Sequence, residues 1–196
     1  MKDIIRSYEK SSLEFIGNSN SLHKLGLESK KLEEAATNQI LEVLNLKNRE
    51  IIYTSGNCES YTTILNMIPN DKKIVTDNKE FYEIGKEMNK NITLSPNLNS
   101  IEKDIYLIST EKDINLNNYN CLTHISLNNN YKNYKKYDFI TIEEDIPFFG
   151  CIIKDKNRNI KPLIHGGKSS TNYRSGTVPI PLIVSFSKLL KNKHKK

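Results

Sequence analysis

The sequence predicts an α/β protein in which a mainly parallel sheet carries helices on its faces. Three observations point there. Helix and strand patterns alternate through the first half of the chain. The second half is a series of short β-branched runs bounded by Asn, Asp and Pro. The 196 residues suffice for one domain with a real core, although the apolar fraction is only 37%.

Taken in order, residues 21–44 read as a long helix. Leu25, Leu32, Ala36, Ile40 and Val43 recur at three, four or seven, and residues 18–21 offer N-caps. "EIIYT" (50–54) is a short buried-type strand that ends at Ser55-Gly56. A second helix follows, with Tyr61, Ile64, Leu65 and Ile68 on one face, and Pro69-Asn70-Asp71 stops it. "KKIVT" is the next strand and residues 79–89 the next helix. "NITL", "DIYLIS", "CLTHISL", "DFITI" and "GCIIK" read as strands, and "PLIHGG" as one more. A helix over residues 181–190 closes the chain. The later connections are too short for full helical crossovers, so the second half is expected to be mixed or trimmed.

The formal net charge is +6, with Lys and Glu mixed along most of the chain and the excess in residues 188–196, "KLLKNKHKK". Cations at a helix C-terminus favour the dipole, and this reading is preferred over a nucleic-acid patch because no RNP-like or zinc-finger pattern accompanies it. Cys58, Cys121 and Cys151 are far apart and form no C-x-x-C. An odd count of separated cysteines fits reduced thiols and a cytoplasmic setting. No apolar run approaches the roughly 18 residues of a membrane span. His23, His124, His165 and His194 show no metal-ligand spacing. Glu143-Glu144-Asp145 reads as a solvated loop in preference to a cation site. Gly167-Lys168-Ser169 imitates the end of a Walker A loop, but Pro162 stands where its first Gly belongs.

The turn in "IIYTSGNCES" (51–60) has more content. A strand that feeds a Ser-Gly turn into a helix N-terminus points backbone N–H groups at an anion. A plain β–α turn with Ser or Asn capping reads equally well from geometry alone.

Three segments in order resemble the cysteine desulfurases, in the class V aminotransferase group of pyridoxal-phosphate (PLP) enzymes. Residues 17–44, "GNSNSLHKLGLESKKLEEAATNQILEVL", are similar to the family's G-N-P-x-S-x-H-x-x-G and its long helix. "REIIYTSGNCES" resembles R-E-I-I-F-T-S-G-A-T-E-S. "PLIHGGKSSTNYRSGTVPIPLIVSFSKLL" resembles H-G-G-G-Q-E-R-x-x-R-S-G-T with its following helix. "YDFITI" fits the strand that leads to the cofactor lysine. The resemblance covers most of residues 17–190. It implies a three-layer α/β/α sandwich like the PLP-dependent transferase large domain, over residues 1–190, with residues 191–196 as a basic tail.

The departures from the family pattern bear on function. The Schiff-base lysine of S-x-H-K should fall near Ile146, yet there is no Lys between Lys136 and Lys154. Without that amine the covalent route to substrate is lost. Ser126 stands where the pyridinium-binding Asp of H-V-D-A-x-Q belongs, and Asn129 where its Gln belongs. The ring-stacking His expected near "TDNKEFY" is not there. In the phosphate cup, Asn57 and Cys58 replace the family's Ala and Thr, so the hydroxyl donor is gone. The Thr that reaches a partner subunit's phosphate in the family's dimers is retained as Thr177. The family's N-terminal D-N-A-A-T-T stretch has no counterpart before Ser7. Its C-terminal small domain, with the nucleophilic Cys on a mobile loop, has none after Leu190. None of the three cysteines replaces that nucleophile.

The resemblance thus implies a cysteine desulfurase-like protein that is catalytically inactive. It implies no bound cofactor and a vestigial phosphate cup at Gly56, Asn57, Cys58 and Thr177, with residual phosphate binding through backbone groups. The alternative is a binding or regulatory module that forms a homodimer, or pairs with a full-length desulfurase or an iron–sulfur assembly partner. Nucleic-acid binding through the basic tail ranks below both.

Overall fold

Seven strands form one mixed sheet in the computed structural model, which describes residues 2–98, 104–117, 119–128, 133–143, 146–167 and 173–194. They are β1 (Arg49–Thr54), β2 (Ile74–Thr76), β3 (Ile92–Leu94), β4 (Leu107–Thr110), β5 (Leu122–Asn128), β6 (Phe139–Glu143) and β7 (Gly150–Asp155). Their order is β1-β7-β6-β5-β4-β2-β3. β3, β2, β4, β5 and β6 pair in parallel, and β7 runs antiparallel to β6. Both faces of β4 are buried, and its two polar residues, Ser109 and Thr110, are buried with Leu107 and Ile108. β3 is a three-residue edge strand with two exposed positions, a short edge that offers little for another chain to pair with.

Contacts divide the chain into two compact units. In the unit Glu50–Leu163, helices α3 (Asn57–Asn66) and α4 (Lys79–Glu87) accompany the sheet. Tyr61, Ile64 and Leu65 of α3 are fully buried, as its apolar face predicts. α4 starts at Asn78, whose side-chain oxygen accepts from Phe81 N–H at 2.7 Å. Gly85 of α4 lets Ile92 of β3 pack closely, since a Cβ there would lie 2.8 Å from Ile92 Cδ1.

The unit Met1–Arg49 with Ile164–Lys196 is helical: α1 (Lys2–Glu14), α2 (Lys24–Val43) and α5 (Ile180–Lys193). α1 and α2 each pack on α5, where Ile183, Phe186 and Leu190 are fully buried. Ser187 of α5 donates to Gln39 of α2 at 2.7 Å.

Several expectations need correction. α1 was not predicted; its buried residue is Ser11, while Ile5, Tyr8 and Leu13 are exposed. "PLIHGG" is not a strand. The long helix begins at Lys24 with His23 as its cap, because residues 18–21 close a turn of their own, Ser21 N–H to Asn18 O. Leu25 is exposed and lies outside the stripe. α5 runs to Lys193, so the first three residues of the expected tail are helical. Asn129, Glu144-Asp145 and Lys168-Ser169 lie outside the described residues.

Candidate functional site

The Thr54-Ser55-Gly56 turn leads from β1 straight into α3. Gly56 has φ +156°, a conformation side chains rarely adopt, and its carbonyl accepts from Ser60 N–H. The hydroxyls of Thr54 and Ser60 lie 2.8 Å apart and each 3.2 Å from that carbonyl. Gly150 of β7 closes on the same turn. A Cβ there would lie 2.7 Å from Thr54 Oγ1 and 2.8 Å from Gly56 Cα. Gly150→Val is therefore expected to overpack the turn and destabilise the protein by about 1–3 kcal/mol, read from the midpoint of urea unfolding. An unchanged midpoint would show that the turn does not rest on this glycine.

Asn57 and Cys58 open α3, and no side chain caps the helix at Gly56. Two carboxylates stand beside this N-terminus. Glu59 Oε2 accepts from Ser55 N–H at 2.8 Å, and Glu80 Oε1 accepts from the Cys58 thiol at 3.1 Å. The bond to Glu80 and then burial push the Cys58 thiol above the ordinary range. Burial pushes Cys121 up and carries Cys151 up to about 12. The thiolate, which is the nucleophilic form, is thereby disfavoured at all three cysteines.

Along β5, side chains alternate between faces. His124 and Ser126 share one face, beside Ser109 of β4 and Thr141 of β6. His124 is buried; its Nδ1 lies 2.8 Å from Ser109 Oγ and its Nε2 3.0 Å from Thr141 Oγ1. Burial lowers its pKa to about 3, so the ring is neutral. Phe81 stacks on it at 5.2 Å and 27°, and Tyr61 meets both rings edge-on at 5.3 and 5.7 Å. Tyr61 Oη lies 2.7 Å from Ser126 Oγ and accepts from Asn78 Nδ2 at 3.2 Å. A polar stripe at the carboxyl ends of parallel strands is where open α/β sheets bind ligands. Here aromatic side chains cover it.

The lysines nearest in sequence to Ile146 are already engaged. Lys154 of β7 is fully buried and pairs with Glu50 of β1 at 2.6 Å. Lys136 pairs with Asp113 at 2.7 Å and precedes β6.

Gly56, Asn57 and Cys58 therefore share one turn. Thr177 is exposed in a coil of the helical unit, where Gly176 has φ +106° and Arg174 Nη1 donates to Ser175 O. The sequence reading missed Tyr61, Asn78 and Phe81 as site residues. Tyr61 and Phe81 read as helix core, and nothing local revealed that Tyr61 meets a residue 65 positions away. A cavity of about 530 Å³ lies at the opposite ends of the strands, lined by Tyr106, Asn120, Cys121, Leu122, Phe139 and Arg158 among others. It is not this site, since Leu122 and Phe139 are the first residues of β5 and β6. Among the described residues, no group of His, Cys, Asp or Glu is arranged to hold a metal, and no helix is long and apolar enough to cross a membrane.

The sequence profile of the aminotransferase class-V family matches residues 1–117. The cysteine desulfurase IscS of Buchnera aphidicola subsp. Acyrthosiphon pisum (strain 5A) is 28% identical over 220 aligned residues, covering 87% of this chain and 54% of the relative. The chain thus spans about half the length of the curated relatives it matches. A solved NifS-like protein superposes with a TM-score of 0.84 at 20% identity, over 100% of this chain and 67% of the other. The NifS-like protein of Rickettsia africae gives 0.81 at 17% identity, over 98% and 65%. At such identities the likeness shows the fold, which is the α/β sandwich of the PLP-dependent transferases that the sequence implied.

Proposed function

The chain belongs to the aminotransferase class-V family, and from that premise we propose that it is a non-catalytic, cysteine desulfurase-like member that keeps the scaffold without the chemistry. The family depends on PLP, which supplies an electron sink to a substrate held on it through an amine. The residues of this chain do not fit that group. The observation that carries the reading is the absence of an amine after β6. No Lys lies between Lys136 and Lys154, and Lys154 is buried against Glu50. Ser126 brings a hydroxyl where the ring nitrogen needs a carboxylate, and that hydroxyl already bonds Tyr61.

Incubating the purified protein with PLP and cysteine is expected to release no sulfide above a no-protein control. Sulfide release in proportion to protein would sink the reading.

At the cup, backbone donors of Asn57 and Cys58 keep a weak affinity for phosphate, and the carboxylates of Glu59 and Glu80 oppose it. Glu80→Gln is therefore expected to raise phosphate affinity several-fold in a low-salt titration, roughly 1 kcal/mol at most. Equal affinity in the two proteins would mean that phosphate does not bind beside this carboxylate.

The role left to such a scaffold is binding, in the cytoplasm, to a second copy or to a full-length homologue. The retained, exposed Gly176-Thr177 supports this. Recovery of neither a desulfurase nor an iron–sulfur assembly protein with the tagged chain, from its own cells, would count against it.

A further inference from the structure

We propose that the chain fills its own cofactor-ring site, with the side chain of Tyr61 standing where the ring would lie. This deepens the non-catalytic reading and rests on it. In the family pattern the residue at 126 meets the nitrogen of the cofactor ring, so a side chain that engages Ser126 Oγ stands between this strand and that ring. Tyr61 Oη meets it, at 2.7 Å. The phenol also accepts from Asn78 Nδ2, so two polar groups hold its oxygen in place. A tyrosine side chain is a six-membered aromatic ring with a polar atom at its far end, which is also the outline the cofactor presents to this strand. It starts from α3, three residues beyond Cys58 of the cup, so the replacement hangs from the element that would hold the phosphate. Phe81 and His124 pack against it, and Tyr61, Phe81 and His124 are all fully buried. The polar stripe of β4, β5 and β6 is thereby covered without any ligand.

The test uses pyridoxamine 5′-phosphate as probe, because it has the ring and phosphate but no aldehyde to condense with surface lysines. Calorimetric titration and thermal melts are run on wild type, Tyr61→Phe and Tyr61→Ala. Wild type is expected to show no melting shift in the probe beyond the one that inorganic phosphate gives. Tyr61→Phe, which keeps the ring and loses the hydroxyl, is expected to melt lower and still exclude it. Tyr61→Ala is expected to bind at least about tenfold more tightly than wild type. Binding to wild type as tight as to Tyr61→Ala overturns the proposal, as does a folded Tyr61→Ala that gains nothing. If Tyr61→Ala does not fold alone, the probe is expected to restore a cooperative melt. Restoration by phenol but not by the probe would mean that the space is not the ring's. Sulfide release from cysteine is a separate readout. Probe binding to wild type without sulfide defeats this inference and leaves the non-catalytic reading standing.

Discussion

Acidifying the protein from neutral pH towards 4 is expected to weaken it steeply, with His124 as a leading cause. In the folded state burial holds this imidazole at a pKa of about 3, against an ordinary 6.5. Its neighbours are the hydroxyls of Ser109 and Thr141 and the rings of Tyr61 and Phe81, with no carboxylate among them to offset the cost of a cation in that buried site. Below 6.5 the unfolded chain takes up a proton at this position and the folded chain does not. Stability therefore falls as pH falls, by about 1.4 kcal/mol per pH unit from this one group. The loss continues until pH nears the folded value of about 3. Above 6.5 the group contributes no slope. His124→Asn keeps a polar side chain and cannot titrate. Urea midpoints measured across this window are expected to fall more steeply for wild type than for His124→Asn. Parallel curves would show that protonation of this histidine does not set the acid limit.

Glu50→Ala is expected to destabilise the protein by about 2–3 kcal/mol, whereas Lys154→Met is expected to be neutral or stabilising. The asymmetry follows from burial. The Lys154 side chain is fully buried on β7, and the Glu50 carboxylate 2.6 Å away is 42% exposed. Removing Glu50 takes the carboxylate from a buried ammonium, which also donates to Asp155 O. Removing Lys154 leaves a carboxylate that water already reaches. The value for Glu50 is set below the range for fully buried pairs because solvent screens its side of the pair. Chemical denaturation of the two single variants decides the matter. Equal losses would mean that the pair stabilises the sheet by mutual attraction.

The seven strands were legible because each is a β-branched run closed by turn residues, and their short later connections correctly announced a sheet that is not wholly parallel. The helices α2 and α3 announced themselves through apolar spacing, and α4 and α5 were expected over residues 79–89 and 181–190. α1 was missed, and the side chain it buries is a serine. "PLIHGG" misled for the opposite reason, being an apolar pair beside glycines that forms no strand, although Ile164 O accepts from Ser175 N–H. The turn at residues 54–56 was legible from its residue types. The cover over Ser126 was not, because Tyr61, Phe81 and His124 lie on three elements and each looks like ordinary core in its own segment. Pairings of that kind depend on register, such as Ser109 opposite His124 and Ser126 opposite Thr141, which local patterns do not specify.

On the non-catalytic reading proposed above, the Tyr61–Ser126 contact also gives the change a direction in time. Restoring a lysine near Ile146 and an aspartate at 126 would return the reactive groups to a space that a tyrosine now fills. Neither reversion improves anything until Tyr61 has shrunk, and shrinking Tyr61 first opens a hole in the core. Each step back is worse than standing still, so a lineage that acquired this tyrosine is held on the far side of a ratchet.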